Sequence, residues 1–181
     1  MKTREIVKMT SELLNLQLPE ESFEGDEPCQ DVVKVLVNAC NFVYEELYRD
    51  YATSLRKTVV VAYNGFIETS PFRMCKVISL VDGEGNDVHY RYGDGGIYVE
   101  QDGSYNLCYA RIPDVLGWDD EVLMPSPRST ERMLVYGVAR EYYSFIGDWA
   151  SAQQWDARFK DALQASAVKN SSMQMPTRGW L

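Results

Sequence analysis

Between Ser129 and Ala167 the sequence carries two helical patterns separated by one glycine, and no other stretch constrains the fold as much. The first helix is expected over residues 129–146. Ser129 or Thr130 suits its N-cap, and Glu131 places a carboxylate at the positive helix end. Leu134, Val138, Tyr142 and Phe145 fall on one line, with Val135, Ala139 and Ile146 on the next. An apolar arc this wide is expected to be covered on more than one side. Gly147 can turn left-handed past the helix end, and Asp148 can cap a second helix over residues 148–167. Ala152, Trp155, Phe159, Ala162 and Leu163 recur there at the spacing of one helix face. Together these features predict an αα-hairpin.

Composition bounds the rest. The chain has 181 residues, 45% hydrophobic and 25% charged, which describes a soluble globular domain. The formal net charge is −9, and the 18 basic residues form no run, so tight non-specific grip on nucleic acid is not expected. Cysteines stand at 29, 40, 75 and 108 without a C-x-x-C pair, and His89, the single histidine, neighbours none of them. This argues against zinc and for free thiols in a reducing compartment. No apolar run reaches the roughly 18 residues that cross a bilayer. Met1-Lys2-Thr3-Arg4 does not open a signal peptide, so no membrane association is expected.

Taken in order, residues 3–17 read as a short helix with Ile6, Met9, Leu13 and Leu14 or Leu16 as its stripe, ended by Leu18-Pro19. Residues 28–52 read as a long helix with two apolar lines and a tyrosine-rich end at Tyr44, Tyr48 and Tyr51. From residue 57 to 112 the period changes to that of strands. These are expected at 58–63, 73–81, 88–92, 97–100 and 105–112, joined by local turns at Asn64-Gly65, Asp82–Asp87, Gly93–Gly96 and Asp102-Gly103. The expected fold class is therefore α+β, one domain over residues 1–181. About four helices (3–17, 28–52, 129–146, 148–167) close as a bundle, an antiparallel β-meander is inserted between helices two and three, and residues 168–181 form an extended tail.

Sites of chemistry are hard to find. His89 lies inside a strand pattern, and no Gly-x-Ser-x-Gly elbow accompanies it. Asp82-x-Glu84-x-Asn86 starts like a calcium loop but has Asp87 where the glycine belongs and Gly93 where the bidentate glutamate belongs. Gly93, Gly95 and Gly96 precede a strand instead of a helix, so no helix end would hold a phosphate. Neither an enzyme nor a bound cofactor is expected.

With the elements placed, the chain resembles the head-to-tail adaptor (connector) proteins of tailed bacteriophages, the tubular-tail type with a β insertion. The resemblance rests on Phe42 to Leu47 at the end of the long helix and on Phe72 to Gly83. It also rests on Tyr109-Ala110-Arg111-Ile112-Pro113 before the acidic Trp118-Asp119-Asp120, on Met133 to Ala139, and on Gly147 to Leu163. It covers about residues 28–169 and implies a structural virion protein, sited in the neck between capsid vertex and tail and assembled in the host cytoplasm. A ring of twelve copies would bind the portal protein above and a tail or nozzle protein below. DNA would pass through its bore without sequence-specific contact, and an acidic bore suits sliding. The resemblance further implies subunit contacts on the wide arcs, at Val135, Tyr142, Tyr143, Tyr44 and Tyr48. A Val135→Asp change is then expected to damage the ring more than the subunit. Met173, Met175, Arg178, Trp180 and Leu181 would anchor the tail in the portal.

Two other readings remain open. One is a different neck component, a tail-completion stopper or terminator. The other is a ligand- or carbohydrate-binding β module with Tyr90, Tyr92, Tyr98, Tyr105 and Tyr109 as its platform, although such tyrosines also serve as cross-strand pairs.

Overall fold

Asn15 decides where the first helix stops. In the computed structural model, which describes residues 1–51, 54–124 and 130–168, helix α1 spans Thr3–Leu13. Asn15 takes a left-handed φ of 52°. Its N–H donates to Glu12 O at 3.0 Å, and Leu16 N–H donates to Ser11 O at 2.9 Å. This is the Schellman closure, with asparagine where glycine is commoner, so the helix ends well before the expected Leu18-Pro19. Its buried face is Ile6, Val7 and Thr10, while Met9 and Leu13 of the expected stripe are exposed. Thr10 can be buried because its hydroxyl donates to Ile6 O at 2.8 Å.

The chain forms two compact units, Met1–Val43 with Leu116–Leu181, and Tyr44–Val115. In the first, α1 packs on α3 (Glu131–Phe145), and α3 packs on α4 (Trp149–Val168). Helix α2 runs Asp31–Glu46, starting later than the expected residue 28, and continues as a π-helical turn over Leu47–Tyr51. Gly137 of α3 abuts Val43 of α2 and Phe159 of α4. Helix α3 is thus covered by three neighbours, which is why Met133, Leu134, Val135, Gly137, Val138 and Ala139 are all buried. The reversal at Gly147 forms as expected. Gly147 has φ 81°, its N–H donates to Ser144 O at 3.2 Å, and Asp148 N–H donates to Tyr143 O at 3.0 Å.

The segment after the strands is pinned to this unit by backbone pairing. The first amides of α1, at Thr3 and Arg4, donate to Asp120 O and Trp118 O at 3.0 and 3.1 Å. They would otherwise be orphans of the helix start. The Asn41 side chain pairs with both backbone groups of Leu116, at 3.0 and 2.6 Å, as a strand neighbour would. Trp118 is buried, and its indole N–H donates to Gly25 O at 3.1 Å.

The second unit holds six strands: β1 Ser54–Ala62, β2 Phe66–Glu68, β3 Met74–Val81, β4 Tyr90–Gly93, β5 Gly96–Val99 and β6 Gly103–Arg111. They follow α2 and precede α3, and the mixed helix-and-strand class stands. The expected single meander does not. Two three-stranded antiparallel sheets form instead, ordered β1-β6-β3 and β2-β5-β4. The turn Asn64-Gly65, with φ 53° and 70°, links β1 to a strand of the other sheet. The first strand takes the last as its partner because both bring apolar residues to the same side. Val60, Ala62, Val77, Leu80, Tyr105, Leu107 and Tyr109 from one sheet and Ile67, Ile97 and Val99 from the other make one core. Two glycines make room for rings on the second sheet: Tyr98 lies across Gly93, and Phe66 across Gly96. Here aromatic side chains shield glycine backbone.

Candidate assembly surfaces

The sequence-predicted residues separate on the structure. Met173, Met175, Arg178, Trp180 and Leu181 lie outside the described residues. Val135 is 4% exposed within its own chain. A carboxylate at this position would therefore disturb the core of the subunit itself as well as any contact between copies. Tyr142 and Tyr143 are half-buried neighbours on α3, their rings 5.6 Å apart and nearly perpendicular. Tyr44 is buried and Tyr48 half-buried in the other unit, with ring centroids 5.0 Å apart and hydroxyls 3.5 Å apart.

Phe145 and Ile146, expected on the wide apolar arc of α3, and Trp149, expected only to open α4, stand at the α3–α4 reversal. Phe145 is 71% exposed, Trp149 is 66% exposed, and Ile146 between them is also exposed. The left-handed Gly147 reverses the chain here, and the three large side chains project where polar residues ordinarily sit. Single exposed apolar residues need no explanation, but three within five positions of one turn make this turn a candidate interaction surface. The sequence signal was present in Phe145-Ile146-Gly147-Asp148-Trp149: a capped turn flanked by bulk that cannot all face inward.

The tip is held firmly. Asp148 accepts from Ser151 Oγ at 2.6 Å and from Ser151 N–H at 3.1 Å. The Ser151 hydroxyl, then its amide, hold the Asp148 carboxyl below its usual range. Further along, Arg140 of α3 meets Glu141 at 2.7 Å and Asp156 of α4 at 3.5 Å, with its guanidinium 4.8 Å over the Phe159 ring. Asp156 is lowered by its hydrogen bond to Lys160 first and by Arg140 after it. Arg140 sits close to its two acids with its guanidinium carbon over an apolar ring, so this network ties α3 to α4 below the tip.

In the strand unit the five tyrosines do not form one platform. Tyr105 and Tyr109 are buried in the core. By register Tyr92 and Tyr98 occupy opposite faces of the second sheet, while Tyr90 packs against the core. Tyr92 Oη accepts from Val77 N–H at 3.1 Å. The Asp82 loop closes on itself: Asp82 Oδ1 accepts from the amides of Glu84 and Asn86, each at 2.9 Å. Those donors, the Asn86 amide first, hold its carboxyl low. His89 is exposed. Among the described residues no group of three or more His, Cys, Asp or Glu is placed to hold a metal ion. Among the same residues no helix is long and apolar enough to cross a membrane. No protein-family model matches the chain, and no curated protein matches it by sequence.

Proposed function

We propose that this chain is a structural, non-enzymatic neck protein of a tailed bacteriophage. Its copies form a ring, twelve by the resemblance, that joins the capsid portal to the tail and lets DNA pass through the bore. In this reading the four helices act as the bundle of the adaptor and the strand unit as its insertion between the second and third helices. The observation that carries the reading is the exposed tip of Phe145, Ile146 and Trp149 on a rigid, capped hairpin. Such apolar bulk on a rigid element suits burial against another subunit. The acidic balance of −9 supports a bore along which DNA slides. The tail residues Met173, Met175, Arg178, Trp180 and Leu181 are proposed as portal anchors.

Native mass spectrometry and electron microscopy of the purified protein, alone and with portal protein, test the reading. Rings that bind portal are expected. A chain that neither closes into rings nor binds portal refutes it.

A further inference from the structure

The sheet β1-β6-β3 has two edges that are treated differently. The β3 edge is occupied over Val77–Val81. Val88 N–H donates to Leu80 O at 2.9 Å, Asp87 bridges Val81, and the Tyr92 hydroxyl takes Val77 N–H. The β1 edge is open among the described residues, since β1 pairs only with β6. That pairing runs unbroken from Ser54↔Arg111 to Ala62↔Gly103, with no bulge to twist the edge away. Nor does β1 contain a proline. Its charges, Arg56 and Lys57, stand in the first half, and Thr58 to Tyr63 are uncharged. Val59 is 65% exposed, Tyr63 is 73% exposed, and Val61 is exposed between them. Proteins ordinarily blunt such an edge, because its free N–H and C=O groups template another strand.

We infer that β1 is a docking edge for β1 of a second copy of this chain, paired antiparallel about a two-fold axis near Val60. The sequence of β1 is complementary to itself in this orientation. A parallel copy in register would set Arg56 and Lys57 against their own like charges. The antiparallel copy sets Val59 opposite Val61 of the second chain, Thr58 opposite Ala62, and Lys57 opposite Tyr63, so each cationic end meets a neutral residue. Lys57 then lies beside an aromatic ring that can receive it. Because the β3 edge is occupied over Val77–Val81 and its first half carries register irregularities, pairing through this sheet stops at two copies and does not extend into a fibre. The contact is isologous and therefore separate from the head-to-tail contacts that close a ring.

Sedimentation velocity over a concentration series, with hydrogen exchange on the same samples, tests the inference. Expected are a reversible doubling in mass of the species present, subunit or ring, protection gained with concentration by those amides among residues 58–62 that point away from β6, and loss of both effects in Val59→Lys/Val61→Lys. Those two side chains already face water, so at dilution, where the wild type is unpaired, the variant is expected to melt close to it. A wild-type chain that never pairs, or pairing without protection of residues 58–62, overturns it. Exchange on the unmodified chain decides the matter even if the variant misfolds.

Discussion

Gly137 of α3 faces Val43 of α2 so closely that a methyl group on Gly137 would stand 3.1 Å from Val43 Cγ2 and 3.2 Å from Phe159 Cε2, with Val43 Cγ1 nearer still. Alanine ordinarily strengthens a helix relative to glycine by about 1 kcal/mol. Here the clash reverses the sign. Gly137→Ala is expected to destabilise by about 1–3 kcal/mol in urea unfolding. Adding Val43→Ala should recover part of that loss, since the two positions share one space.

The tip and the core should respond oppositely. Phe145→Ser/Trp149→Ser changes exposed side chains, so the melting midpoint should shift little, with a stability change within about 0.5 kcal/mol per site. Ring formation should fail. Val135→Asp puts a carboxylate among buried apolar side chains and should leave little folded protein. Native mass spectra beside thermal melts separate the two. A tip variant that assembles normally would remove the tip from the interface.

Cys40 reports on the helical core through its thiol. Burial pushes its pKa from the ordinary 9.0 up to about 12. Below pH 9 the thiol is neutral whether the chain is folded or not. Above it the unfolded chain gives up the proton while the folded chain keeps it, so stability falls as pH rises from 9 towards 12. The slope from this group is at most about 1.4 kcal/mol per pH unit. Urea titrations across that range should show a steeper alkaline loss in wild type than in Cys40→Ala. At pH 8 a thiol reagent should label Cys29 and Cys75, which are exposed, and reach Cys40 and Cys108 only on unfolding.

The Asp148 cap should show the opposite pH dependence. Its folded pKa is depressed, so its contribution is present above the unfolded value of 3.8 and fades as pH falls through the folded one. Asp148→Ala should melt below wild type at neutral pH. The two curves should converge in acid, and Ser151→Ala should narrow the neutral difference. Curves that stay apart in acid would mean that Asp148 acts through something other than its charge.

The helical hairpin was legible because its signals are local: the 3.6-residue period, the glycine turn and the aspartate cap all lie within forty residues (129–168). The sheets were not. Turn residues such as Asn64-Gly65 announce a reversal but not which strand lies beside which. Pairing β1 with β6 depends on a core that forms only when Val60 and Leu107 share a face. The short β2 carries three residues and no alternation long enough to read. The stop at Asn15 escaped notice because asparagine is a weaker left-handed signal than glycine. The tip was misread for a related reason: period places Phe145 on an apolar line but does not say where the covering helices end.

The amide clamp of Asn41 on Leu116 and the carbonyls of Trp118 and Asp120 on the first turn of α1 tie the beginning of the chain to residues made much later. During synthesis, therefore, the early helices wait with their contacts unmade. The strand unit, contiguous from Tyr44 to Val115, can close once β6 has left the ribosome, and only afterwards does the first unit receive α3. Non-local closure of this kind is slow. The order of birth is thus nested, inner unit before outer, and a stall between β6 and α3 would expose the helical faces for as long as it lasts.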